Sequence, residues 1–171
     1  SLKNNIKHLN MVLPEWFFID PNTDQLESRI DQKALKLMHS AGVPILPMLT
    51  NNYGAKFRSE PIGRIMSDPK KRMALINQLA DQCKQHGFSG INLDLEDLNI
   101  NDNALLVTLV KDFATVFHAH GLYVTQAIAA FNDDYDVQEL AKYDDYLFLM
   151  AYDEHNSTSQ PGAVSSQRWV E

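Results

Sequence analysis

The stretch GINLDLED, residues 90–97, sets Ile91, Leu93 and Leu95 against Asn92, Asp94 and Glu96 at every second position. Successive side chains of a strand point to opposite faces, so this run has one apolar face and one face with two carboxylates. A carboxylate is costly to bury unless it is paired or hydrogen-bonded. Whether that face meets water or an enclosed site depends on the sheet around it, and the flanking sequence decides that.

Four further stretches read as strands: 12–19 (VLPEWFFI), 43–49 (VPILPML), 123–129 (YVTQAIA) and 146–152 (YLFLMAY). Each is rich in branched and aromatic residues and is bounded by turn formers. Helical spacing lies between them, at 31–41, 69–86 and 103–120, with a shorter helix expected at 136–142 and partial helices at 1–9 and 166–171. Ser67-Asp68-Pro69 marks a helix start, a capping residue followed by proline at the first helical position. HSAG, KQHG and HAHG, ending at Gly42, Gly87 and Gly121, each end a helix in a glycine able to take the left-handed cap before a strand. Alternating strands and helices imply an α/β fold with a parallel sheet, which is covered on both faces. Ile91, Leu93 and Leu95 then face helices, and the polar face looks into an enclosed interior, where unpaired carboxylates point to a site rather than to a solvated surface.

With 171 residues, 44% hydrophobic and 22% charged, the chain suits one globular domain, and its net charge is -7. No Lys/Arg-rich run favours nucleic acid or an anionic membrane, and no apolar stretch approaches the ~20 residues of a membrane span. The single cysteine, Cys83, excludes an internal disulfide and falls on the apolar stripe of 69–86, as a buried, inert thiol would. His39, His86, His118 and His120 sit in last helical turns, where the helix dipole favours them; no metal site and no cofactor is expected. The chain opens on Ser1-Leu2, without Met or a signal peptide, as a processed product, an excised domain or a fragment does.

Residues i and i+2 of a strand stand ~6.5–7 Å apart on one face. Asp94 and Glu96 therefore influence each other's ionisation, and one of them tends to keep a proton. A protonated carboxyl in an enclosed site is a general acid. Two acids on one strand cannot flank a sugar ring from opposite faces, but they suit hydrolysis in which the substrate's own N-acetyl group is the nucleophile.

FSGINLDLE resembles the active-site strand of glycoside hydrolase family 18, whose pattern runs Asp-Gly-x-Asp-x-Asp-x-Glu. Gly90, Asp94 and Glu96 match it; Ser89 and Asn92 replace the first two aspartates. LFLMAYDEH at 147–155 resembles the family's Met-x-Tyr-Asp strand, with Met150, Tyr152 and Asp153 in register. LPEWFFID, GVPILPMLTN and MAYDEH are most similar to the family 18 domain of bacterial fusions with a polysaccharide deacetylase and a family 2 glycosyltransferase.

The resemblance implies a TIM (β/α)8 barrel over residues 1–171, incomplete here, with the five strands as the family's second to sixth. One barrel strand would precede residue 1 and two would follow residue 171. It implies that Glu96 protonates the glycosidic oxygen, Asp94 orients the acetamide, Tyr152 donates to its carbonyl, and Asp153 and Met150 line the subsite. Asn92 can hydrogen-bond Asp94 but cannot take its proton. The implied substrate is a polymer of β-linked N-acetylglucosamine, handled outside the cytoplasmic membrane; a lectin-like or structural domain of a larger polysaccharide enzyme is the alternative. Further substrate contacts are drawn from Trp16, which could stack on a sugar or sit in the core, from Asn51 after the second strand, where Asn-Asn-Tyr-Gly is also an ordinary turn, and from Gln126, which faces either side of its strand.

Overall fold

The acids sit at the end of a central strand. In the computed structural model, which describes residues 10–129 and 135–150, β4 (Gly90–Asp94) is buried at all five positions. Around it lie β1 (Glu15–Ile19), β2 (Leu26–Ser28), β3 (Met48–Thr50), β5 (Tyr123–Ala129) and β6 (Tyr146–Met150), in the order β2-β1-β3-β4-β5-β6. All neighbours are parallel except β1 and β2, which form an antiparallel hairpin. Among the described residues the order does not return on itself, so the described sheet is an open arc rather than a closed barrel.

The helices are α1 (Gln32–Ala41), α2 (Ser59–Ser67), α3 (Pro69–His86), α4 (Asn103–Ala119) and α5 (Val137–Leu140). Asp68 caps α3 by accepting from the Lys70 and Lys71 amides, directly before Pro69, as the sequence predicts. Gly42, Gly87 and Gly121 take φ of 67°, 68° and 69°, the left-handed conformation that closes α1, α3 and α4. Ile76, Leu79 and Cys83 of α3 pack with Leu109, Phe113 and Phe117 of α4, and with Ile91 and Leu93 of β4, in one apolar cluster. Each large side chain buried there contributes about 1.5–3 kcal/mol. Burial also pushes the Cys83 thiol up to about 12, the state of an inert core sulfur.

Two elements escape the sequence reading. α2 contains Pro61 and Gly63, which mask a helix whose buried Ile62, Ile65 and Met66 keep helical spacing. β2 is only three residues of edge strand. The second expected strand, 43–49, is regular only at Met48–Thr50, because Pro44 and Pro47 donate no ladder hydrogen bond. Its earlier part is extended and pairs singly, with Val12 N–H donating to the Pro44 carbonyl and Leu46 N–H to that of Val12. The expected partial helices at 1–9 and 166–171 lie outside the described residues.

Candidate active site

Register assigns the faces. Met48, Asn92 and Thr125 form one row across β3, β4 and β5, and Phe18, Thr50 and Asp94 form the next across β1, β3 and β4. A hydrogen bond of 2.8 Å from the Thr125 hydroxyl to Asn92 Oδ1 confirms that the first row shares a side. Leu49, Leu93 and Val124 alternate with these rows and belong to the helix-packed cluster. Asn92 and Asp94 thus point away from the helices, into the concave side, as their spacing predicts.

Both are nearly sealed from water, with Asn92 0% and Asp94 8% exposed. Asn92 Nδ2 and Asp94 Oδ1 are buried without a hydrogen-bond partner. Burial raises the Asp94 carboxyl above its ordinary value, while hydrogen bonds with Glu96 and Thr50 act the other way. Burial outweighs those hydrogen bonds, so Asp94 keeps its proton to higher pH than a free carboxyl does, and the two side chains interact at the end of the strand.

Glu96 lies two residues past the end of β4, and Asp97 turns the chain with φ of 51°. Its peptide is gripped by Asn51: Oδ1 accepts from the Glu96 N–H at 3.0 Å, and Nδ2 donates to the Glu96 carbonyl at 2.8 Å. Asn51, expected as a substrate contact, is 1% exposed and its amide is taken up by the chain. The Tyr135 hydroxyl, which the sequence reading did not single out, donates to the Leu95 carbonyl at 2.7 Å.

Two other expectations are corrected. Trp16 is a core residue: it lies in the irregularity between Glu15 and Phe17, with its ring 5.9 Å from that of Phe88. Phe88 precedes β4, at the opposite end from Glu96, so Trp16 does not stand at the mouth. Gln126 pairs in register with Leu93 and so faces the helices, fully buried, with neither amide atom hydrogen-bonded. Met150 pairs with Ala129, on the same side as Thr125, and so shares the concave face with the acids. Tyr152 and Asp153 lie outside the described residues.

Beside Phe18, three further side chains form a wall that the sequence did not reveal. Arg29 lies 4.1 Å over the Phe18 ring and 5.2 Å over that of Tyr53, and its Nε donates to Glu27 at 2.8 Å. The Tyr53 hydroxyl donates to the other Glu27 oxygen at 2.8 Å. A cavity of about 320 Å3 on the loops after β1 and β3 is lined by Phe57, Arg58 and Arg64 among others, and includes neither acid. Among the described residues no group of three or more His, Cys, Asp or Glu has metal-holding geometry.

Residues 17–168 match the family model for glycosyl hydrolases family 18. The chain belongs to glycosyl hydrolase family 18. Within the family it is 27% identical, over 87% of its length, to the putative sporulation-specific glycosylase YdhD of Bacillus subtilis, and 25% identical, over 99%, to the uncharacterized glycosylase YvbX of the same organism. It spans 37% and 52% of those proteins. The crystal structure of YdhD superposes with a TM-score of 0.82 at 26% identity, over 91% of this chain and 54% of that one. A chitinase of Chromobacterium violaceum superposes with a TM-score of 0.88 at 22% identity, over 98% of this chain and 56% of that one, and shows the shared family 18 fold.

Proposed function

We propose that these residues form the catalytic half of a retaining glycosidase acting on polymers of β-linked N-acetylglucosamine, with the substrate acetamide as nucleophile. The observation that carries this reading is the hydrogen-bonded pair of Asp94 and Glu96 at the end of the central strand, with Asp94 on the concave face. Family membership supports the glycosidase class, and two acids on one strand favour attack by the substrate over attack by a second carboxylate.

In this mechanism Glu96 gives its proton to the glycosidic oxygen as the bond from that oxygen to the anomeric carbon breaks. The acetamide carbonyl oxygen bonds to the anomeric carbon from the other side. Asp94 accepts from the acetamide N–H, and its negative charge balances the positive charge developing on the ring so formed. Tyr152 donates to the carbonyl oxygen, and Met150 and Asp153 line the subsite. Water, deprotonated by the Glu96 carboxylate, then opens the ring with net retention. A polymer of this kind lies outside the cytoplasmic membrane, and the reading puts the domain there.

The test is to assay the full-length protein on matched N-acetylated and de-N-acetylated oligosaccharides, with Glu96→Gln alongside. Cleavage confined to N-acetylated units is expected, with Glu96→Gln binding sugar but turning over ~10²–10⁴-fold more slowly. Equal cleavage of both substrates would defeat the acetamide mechanism, and binding without cleavage by the parent would favour a lectin.

A further inference from the structure

The backbone ladder of β3 and β4 ends at the pair Thr50 and Asp94, two residues short of Glu96. A general acid beyond the end of its strand would ordinarily ride on a loose loop. Here side chains extend the ladder. The Asn51 amide presents one acceptor and one donor in a plane, as a peptide does, and bonds both the N–H and the carbonyl of Glu96. The Leu95 carbonyl belongs to the same rigid peptide unit as the Glu96 N–H, and Tyr135 holds it from the β5 side of the chain. That unit is therefore fixed at both ends. Asn51 is itself anchored, because its own carbonyl accepts from the Arg58 N–H at 2.8 Å and its Nδ2 also reaches the Arg58 carbonyl at 3.3 Å.

We infer that Asn51, assisted by Tyr135, is a positioning residue that sets where the Glu96 carboxyl stands relative to the leaving oxygen. The inference rests on the glycosidase reading above. Asn51 touches no reacting atom; it acts through the backbone of the acid. A misplacement of ~1 Å costs up to ~10²-fold in rate.

The experiment compares the full-length parent, Asn51→Ala, Tyr135→Phe and Glu96→Gln on two substrates. One is an unactivated N-acetylglucosamine oligomer; the other is the dinitrophenyl glycoside of N,N′-diacetylchitobiose, whose leaving group needs no proton. Asn51→Ala is expected to lower kcat/KM on the oligomer about 10–100-fold and to recover most of that loss on the aryl glycoside. Tyr135→Phe should follow the same pattern more weakly. Equal losses on both substrates would mean that Asn51 serves only the fold, and would overturn the proposal. A Glu96→Gln variant that keeps near-parent activity on the unactivated oligomer would instead sink the glycosidase reading. In that case the clamp is still judged by amide hydrogen exchange at Glu96, expected to be at least about tenfold faster in Asn51→Ala; unchanged exchange overturns it.

Discussion

At the residue scale, Asp94 works against the fold it belongs to. Its carboxyl is held above the ordinary value chiefly by burial, so the folded chain binds this proton more tightly than the unfolded chain does. Stability from this group is therefore greatest below the unfolded value, near 3.8, and falls as pH rises toward the raised folded value. Asp94→Asn removes the ionisation and keeps the shape. It should raise the melting temperature relative to the parent at pH 7 but not at pH 3, while turnover of an N-acetylglucosamine oligomer falls. A variant no more stable than the parent at pH 7 would refute the claim that Asp94 is strained for function. Alternation alone was enough to read Asn92 and Asp94 as one inward face. It could not say that Asn51 would be spent on the Glu96 peptide, because an Asn-Asn-Tyr-Gly turn has the same composition whether its amide meets sugar or backbone. Gln126 was ambiguous for a related reason. A strand buried on both faces has no polar pattern to reveal its phase, and only the pairing with Leu93 resolves it.

At the scale of elements, β4 and β5 approach so closely at their start that only glycine fits. A Cβ on Gly90 would stand 2.1 Å from the Tyr123 carbonyl oxygen and 2.7 Å from its carbonyl carbon, both backbone atoms that cannot rotate away. Gly90→Ala must therefore push the strands apart at the base of the strand that carries the acids. A loss of about 1–3 kcal/mol or more is expected from such overpacking, measured by urea unfolding, with activity falling as the register of Asn92 and Thr125 loosens. Stability within about 0.5 kcal/mol of the parent would show that the contact is soft. The longer helices were readable because apolar spacing and terminal glycines agreed at each, with Asp68-Pro69 also marking the start of α3. α2 was not, since Pro61 and Gly63 broke the propensity signal while tertiary burial of Ile62, Ile65 and Met66 held the helix in place. β2 has too few residues for periodicity to register, although it brings Glu27 and Arg29 beside Phe18.

At the scale of the whole molecule, the cost of the open arc is concentrated at β6. Among the described residues this strand pairs only with β5, and its Tyr146 and Leu149 are 58% and 56% exposed, whereas β4 is buried throughout. Just before it stands Asp144, whose two carboxylate oxygens are buried and lack any hydrogen-bond partner. Burial, and then the charge of neighbouring Asp145, push its carboxyl up to about 8. Asp145 differs sharply: it accepts from the Val124 amide at 2.8 Å and pairs with His118 at 2.9 Å. Between pH 4 and pH 8 an unfolded chain releases the Asp144 proton and the folded chain retains it, so stability should decline across that window. Asp144→Asn in residues 1–171 should then raise the melting temperature progressively more from pH 5 to pH 8, reaching the equivalent of a few kcal/mol at most. Parallel melting curves for parent and variant over that range would show that Asp144 ionises freely in the fold. A full-length protein in which the same change is destabilising would show that a donor from another part of the molecule meets this carboxylate, and would locate that donor at the edge where the described sheet stops.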